Sequence, residues 1–461
     1  MIAASHYRRT NSDAKVRLVI LYLLICRVAS FSVKNTEQSS SCISLDNLQN
    51  KRVLVVGGSG RVGGSCVTQL VLRGSQVTVG GTNAERFLSS RKRWQSLFPD
   101  ICEDLEEVDF VALNRERSES VQAVLSGYDL VVHTAGPFQG KVNTPNGVIE
   151  ACVENGVPYI DVCDDYCTAS AIKTKLAEKA KESKTPCIIS TGCWPGVSSL
   201  MAKQLLQKSM QAYPDVDQRD ISVKFSFFTA GSGGAGVTLL VATFLILAEK
   251  ALTVVNGRRK VVTPMETYST VHFGPVVGDK EVAHLNLLET ASVADVLRIG
   301  NVQALFGTAP NFWNGLLGLM AKLPTQLLEN EDLMRKLSMF SLPIVRLVDA
   351  FAGATNAMRC DISNTKNPDL FRCSAIYAHK NLEPCVGECV TAFAAAVLSG
   401  AVRDGIWFPE EAIQGGVDAA AVLAAASVGA HTVLVSSEGM ELSLEQVWGT
   451  RRKETITMTS T

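Results

Sequence analysis

Lys51–Asn83 reads KRVLVVGGSGRVGGSCVTQLVLRGSQVTVGGTN. A short apolar run at 52–56, bounded by glycine, has the pattern of a parallel strand buried on both faces. Gly58-Ser59-Gly60-Arg61-Val62-Gly63 follows with G-x-G-x-x-G spacing. An apolar-periodic helix comes next, with Val62, Cys66, Leu70 and Val71 on one face, and a second run, Gln76–Val79, ends at Gly80-Gly81. In this reading the first glycine makes the tight turn and the second lets backbone N–H groups approach a pyrophosphate. The third lets the helix pack on the strand. The pyrophosphate then lies on the positive end of the helix. The end of the second strand sets cofactor choice. An NAD site places an acid there for the ribose 2′-hydroxyl, whereas this chain has Thr82, Asn83 and Arg86 and no acid before Glu85. A neutral end with an arginine accommodates a 2′-phosphate, so NADP is expected in preference to NAD.

Outward from this unit the strand–helix rhythm repeats. EEVDFVAL (106–113), YDLVVHTAG (128–136), VPYIDVC (157–163) and PCIISTG (186–192) are strand-like, and helix-like segments separate them. That alternation predicts a doubly wound α/β sheet with right-handed crossovers. Ligands in such sheets bind beyond the carboxyl ends of the strands, which directs attention to AGPFQGKVNTP, DVCDDYC and TGCWPGVSS.

Four of these segments carry a resemblance: Gly58–Gly63, Ala135-Gly136-Pro137-Phe138, Tyr159-Ile160-Asp161-Val162-Cys163-Asp164-Asp165 and Pro195-Gly196-Val197-Ser198. Together they resemble the saccharopine dehydrogenase-like oxidoreductases. Downstream, Ala230–Gly236, Phe306–Pro310, Trp313-Asn314, Met358-Arg359 and Trp407–Glu411 are similar to the plant and algal plastid branch of that family. The resemblance spans about 51–430. It implies an NADP-binding Rossmann domain joined to an α+β substrate or dimerisation domain, with a C-terminal segment returning to the first. A homodimer is expected on the same ground. Gly58, Gly60 and Gly63, with Ser59, Arg61 and Val62 between them, would hold the pyrophosphate, and Ala135, Gly136, Pro137 and Phe138 would line the nicotinamide side. Where many relatives read Y-V-D-L-T-G-E, Asp165 stands at the Glu position, Asp164 replaces the Gly and Cys163 takes the hydroxyl position. The expected divisions are 49–200, 201–385 and 386–445, with a disordered tail at 446–461.

Composition narrows the class. The 461 residues hold 46% hydrophobic and 19% charged side chains with a net charge of -1. This excludes a disordered chain and, lacking a basic excess, a general nucleic-acid binder. Residues 1–34 carry Arg8, Arg9, Lys15, Arg17, Arg27 and Lys34 against Asp13 alone, with LVILYLLIC at 18–26. Nine residues are too few to span a bilayer, which takes about 20. The pattern reads as a signal peptide (1–30), with Val28 and Ser30 suiting cleavage before Phe31. A Ser-rich transit-peptide-like segment (31–48) follows. The pair resembles the bipartite presequences of algae with complex plastids; secretion, ER residence and a mitochondrial address are the alternatives. Among thirteen cysteines, Cys163 with Cys167 and Cys385 with Cys389 are four apart. That is neither redox nor zinc spacing, so no metal is expected and the thiols are read as reduced and buried.

In the second half, Phe225–Ala248 is uncharged. Its first third is strand-like and its middle is GSGGAG, so only Val237–Ala248 reads as helix. A membrane span is therefore disfavoured, as is peripheral membrane contact. Pro310, Pro324 and Pro343 are expected to break 300–350 into short helices. Arg359, beside Asp361, is a candidate substrate clamp or half of an internal pair. The expected chemistry is NADP-dependent hydride transfer to or from a C=N, C=O or enoyl bond of a small substrate. The proton-handling candidates are Asp165, then Asp164, then His272. The alternative is a non-catalytic dinucleotide-binding protein acting as redox sensor or scaffold.

Overall fold

The computed structural model describes residues 43–230, 237–437 and 440–442; the leader, the GSGGAG stretch and the C-terminal tail lie outside them. Strand β1 (Arg52–Val56) is buried at all but its first position and pairs in parallel on both sides, with β2 (Gln76–Gly81) and β4 (Leu130–His133). The outer strands are β3 (Asp109–Ala112), β5 (Tyr159–Asp161) and β6 (Pro186–Ile188). A seventh, β15 (Gly405–Trp407), arrives from far along the chain and pairs in parallel with β6. The order β15-β6-β5-β4-β1-β2-β3 reverses direction at β1/β4. Such a reversal opens a crevice at the strand ends.

Helix α1 (Arg61–Leu72) covers one face of this sheet, and α2 (Ala84–Leu97) follows β2. Helix α3 (Tyr166–Glu182) follows β5, and α4 (Val197–Ala212) carries the chain out of the domain. The second domain is one mixed ten-stranded sheet. Its main path runs β10 (Tyr268–His272), β11 (Asp279–His284), β12 (Asn301–Ala309), β7 (Ile221–Ala230), β13 (Thr355–Asn364), β14 (Arg372–His379), β16 (Thr432–Ser437), β17 (Met440–Leu442). Beside it, β8 (Ala251–Val255) pairs with β12, and β9 (Arg258–Val262) with β8. Only β7 and β12 run parallel. The protein is thus α/β, a doubly wound Rossmann sheet with a second sheet domain.

One core joins the two sheets: Val53, Leu200, Phe225, Phe227 and Phe393 belong to the same buried cluster. Each such side chain contributes about 1.5–3 kcal/mol on burial. Helix α9 (Leu382–Leu398) packs against α1, and Gly387 makes that approach feasible. A Cβ there would lie 2.7 Å from the Ser65 carbonyl oxygen. Three further helices bear on the site: α5 (Val237–Ile246), α6 (Leu288–Leu297) and α7 (Phe312–Met320). Among the described residues no helix is long and apolar enough to cross a membrane.

The prolines do not all break 300–350 into short helices. Pro310 and Pro324 do separate elements, and 301–309 is a strand, but Pro343 lies inside the 22-residue helix α8 (Glu331–Ala352). Proline removes one N–H and crowds the carbonyl four residues earlier. Here both Pro343 and Met339 face solvent, so water can serve the orphaned carbonyl and the helix continues.

Candidate functional site

The turn after β1 places the left-handed residue at Gly57 (φ +84), one position earlier than the G-x-G-x-x-G frame assigns the tight turn. A Cβ on Gly57 would meet the backbone nitrogen of Ala135 at 2.8 Å. Gly63 does the helix-packing work: its Cβ would come within 2.4 Å of the Gly57 carbonyl oxygen. The working set is therefore Gly57, Gly60 and Gly63. Gly58 is held between Val79 and Val67 instead. Gly60 is the N-cap of α1 and supplies no side-chain cap. The first-turn N–H groups accordingly open on the cavity that Ser59, Gly60, Arg61, Val62 and Gly63 line. An anionic pyrophosphate fits such a helix start.

Thr82, Asn83 and Arg86 also line this cavity, although Asn83 spends its side-chain oxygen capping α2 through Arg86 N. Arg93, which the sequence reading missed, completes the group. Burial first, then repulsion from Arg61 and Arg86, pulls its guanidinium below the usual arginine value. Its Nε is buried without a partner. Glu383, 3.4 Å from Arg61, is the nearby acid. Arg93 lies among Arg61, Arg86 and the Glu383 carboxylate, and three arginines with one unsatisfied N–H suit a dianionic 2′-phosphate.

Ala135, Gly136, Pro137 and Phe138 line the same cavity, joined by the loop after β6, Gly192–Pro195. Trp194 is fixed there by donating to Asn356 Oδ1 at 3.0 Å and by stacking on Phe227 at 5.1 Å. The cavity measures about 1300 Å³ and continues from the Rossmann crevice into the second domain.

The two adjacent aspartates divide. Asp165, first choice on sequence, is the N-cap of α3. It accepts from Cys167 N at 3.0 Å, Thr168 Oγ1 at 2.7 Å and Gly140 N at 3.2 Å. Its side chain is committed to holding two loops and is not on the cavity wall. Asp164 is on that wall. Burial pushes its carboxyl up to about 6; a hydrogen bond from Gln139 opposes this, while Asp165 and Asp161 add to it. Asp161 itself is wholly buried and accepts from Ser190 N, Cys163 N and the Tyr159 hydroxyl, which makes it an organiser of the strand ends.

Neither His272 nor Arg359 reaches this cavity. His272 ends β10 on an exposed edge, where its Nδ1 lies 2.7 Å from Asp279 Oδ1. Arg359 points to the opposite face of β13 from Asn356 and Met358. Its Nε donates to both oxygens of Asp361 at 2.8 and 3.0 Å, and its other nitrogens to His272 O and Ser374 Oγ. The internal pair is the reading that holds, and the substrate-clamp role is withdrawn.

A second acid takes the place they leave. Glu289, on α6, is 1% exposed and lines the cavity. Its Oε1 accepts from Ser198 Oγ at 2.8 Å, while Oε2 has no partner. Burial pushes it up to about 7. Sequence offered one faint signal, a single acid inside the apolar stretch LNLLETASVA. Among the described residues no group of ligands could hold a metal ion. The cysteines there are free thiols, mostly buried.

A dinucleotide fold with an arginine-rich ribose end fits an NADP-binding domain, and a family model over part of the chain agrees. Residues 53–188 match the family model for the saccharopine dehydrogenase NADP binding domain. The apo, histidine-tagged saccharopine dehydrogenase (L-Glu forming) from Saccharomyces cerevisiae superposes with a TM-score of 0.54 at 12% identity. The match covers 86% of this chain and 100% of that one, a likeness of fold. A putative short chain dehydrogenase from Escherichia coli CFT073 matches 32% of this chain and 82% of its own at 16% identity, TM-score 0.26. No curated protein matches the chain in sequence.

Proposed function

We propose that this protein is an NADP-dependent oxidoreductase in which Asp164 handles the proton that accompanies hydride transfer. The observation that carries this reading is the position of Asp164. It is a carboxyl raised to about 6, on a cavity wall shared with the glycine turn and Ala135–Phe138. A bound NADPH would supply the hydride with its electron pair to the unsaturated carbon of a C=O, C=N or enoyl group. The atom that gains electron density takes a proton from Asp164. A carboxyl tuned toward neutrality by burial suits that task. Glu289, the second raised acid on the wall, is the further candidate for proton exchange in this reading. Arg61, Arg86 and Arg93 would hold the 2′-phosphate, and the α1 N-terminus the pyrophosphate.

The expected outcome is that Asp164→Asn loses turnover by 10²-fold or more, the usual worth of a general acid, while NADPH still binds. Undiminished turnover in that variant would remove Asp164 from the mechanism. The competing reading, a sensor or scaffold that only binds the dinucleotide, predicts that bound NADPH is never oxidised by any carbonyl, imine or enoyl compound. The proposal also includes the homodimer and plastid delivery. Native mass spectrometry tests the first, and a fluorescent fusion to residues 1–48 tests the second.

A further inference from the structure

The cavity has two chemically unlike ends. The end described above carries the glycine turn, the arginines and Asp164. The other end, within the second domain, is walled by α5, α7 and α8 together with the upper part of β12, where Leu240, Phe244, Phe306, Leu317, Met334 and Leu342 face the space. Its charged lining residues on that side are Arg335 and Arg346, both exposed. Arg335 is already held by Glu331 at 2.9 Å. These charges mark the rim, and the wall between them is mainly apolar, with Thr238, Thr243, Thr308 and Ser341 as its neutral polar members.

Some of the apolar lining also reaches the outside. Leu316, Leu323 and Met339 line the cavity and are 43%, 46% and 61% exposed. Around them Phe312, Leu319, Phe340 and Leu347 stand in solvent on α7 and α8. Large apolar side chains exposed in number on two neighbouring stretches of chain are the kind of surface that marks an interaction site.

We propose that this second lobe takes the hydrocarbon portion of a long-chain, sparingly soluble carbonyl or enoyl substrate, which enters between α7 and α8. The inference rests on the oxidoreductase reading and narrows its substrate class. An amino-acid-derived substrate would bring an ammonium group to a lobe whose charged lining residues, among those described, are the rim arginines Arg335 and Arg346, and burying that cation unpaired is costly. An alkyl chain leaves no polar atom unmet, and each buried methylene adds to binding. The reacting group then stops where the lining changes character, beside Asp164 and Glu289.

The test uses the full chain saturated with NADPH, so that only the second lobe is open. N-phenyl-1-naphthylamine serves as the fluorescent probe, displaced by straight-chain 2-alkanones of four to twelve carbons and, separately, by glutamate. The expected result is affinity that rises about fourfold per methylene, equivalent to about 0.8 kcal/mol each, with no displacement by glutamate. Leu342→Glu, at a half-buried lining position, should weaken every long ketone more than tenfold. Leu342→Trp should shorten the longest chain accepted. NADPH fluorescence, read in the same samples, reports on the cofactor half independently. Intact NADPH binding with no dependence on chain length, or displacement by glutamate, overturns the proposal. Chain-length dependence without NADPH binding would uphold the lobe and sink the oxidoreductase reading instead.

Discussion

Asp164 and Asp165 are neighbours with the same side chain, and the start of α3 separates their work. A carboxylate at the N-cap is held by backbone N–H groups, and Asp165 takes that place with three donors. Asp164, one residue earlier, is left facing the cavity. Asp165→Ala is therefore expected to cost about 1 kcal/mol of stability, seen as a lowered Tm, and to move the Asp164 limb of the pH profile to lower pH, since the Asp165 charge helps raise that carboxyl, while maximal turnover is kept. A loss of maximal turnover as large as that of Asp164→Asn would return Asp165 to the chemistry. Arg93 belongs to the same scale. Its unpaired Nε, crowded by Arg61 and Arg86, is the group a 2′-phosphate would relieve. Arg93→Ala should weaken NADPH about tenfold and leave NADH unaffected; an equal loss for both would mean that Arg93 reads something other than that phosphate. Neither residue's role follows from sequence alone. Which aspartate caps depends on a one-residue helix boundary, and Arg93 meets Arg61 only through folding.

At the level of elements, the central parallel strands were legible because burial on both faces gives β1 and β4 continuous apolar runs, whereas the edge strand β3 is at most half-buried. The observed strands fall inside the runs at 106–113, 128–136, 157–163 and 186–192. The glycine turn was legible in outline and misassigned in detail. Gly57-Gly58 offers two frames, and only the close approach of Ala135 selects Gly57. Gly63 is the clearest test of the element. Alanine there would bring Cβ to 2.4 Å from the Gly57 carbonyl oxygen and 2.5 Å from Thr134 Oγ1, so α1 must retreat from the turn. Gly63→Ala is expected to destabilise the fold and to weaken NADPH at least tenfold, measured by cofactor fluorescence. Wild-type affinity would show that the helix start is not the seat of the pyrophosphate. Pro343 escaped a sequence rule for the converse reason, because the rule assumes a carbonyl that water cannot reach.

Across the whole molecule, buried acids tie the parts together. Glu410, from the segment after β15, is 1% exposed and makes no ion pair among the described residues; its own backbone N–H and the Ser292 hydroxyl are the polar groups that oppose its burial. Burial pushes it up to about 7 from the ordinary 4.5, and Glu411 adds to this while Lys203 opposes. The Lys203 ammonium instead donates to the Glu410 and Ile413 carbonyls. The folded chain thus keeps a proton that the unfolded chain releases between about pH 4.5 and 7. This group's unfavourable contribution is absent below that window, grows as pH rises through it and is constant above. Glu410→Gln should flatten the fall in stability between pH 5 and 8 by up to about 3 kcal/mol, read from denaturant midpoints. A profile parallel to wild type would show that Glu410 has an ordinary pKa. Sequence could not show this, since its surroundings come from α4, α6 and the returning segment.

The pairing of β15 with β6 has a consequence for how the protein is made. Residues 53–188 match a domain family, yet the sheet they build is closed at one edge by residues 405–407, and α1 is covered by a helix beginning at Leu382. A ribosome adding about 5–20 residues per second releases the nucleotide-binding half well before its last strand exists. Through that interval β6 presents an unpaired edge and α1 an uncovered apolar face, the features that invite association between nascent chains. A chain halted before Gly405 is therefore expected to carry that open strand edge, and to meet its neighbours as an unfinished sheet rather than as a closed domain.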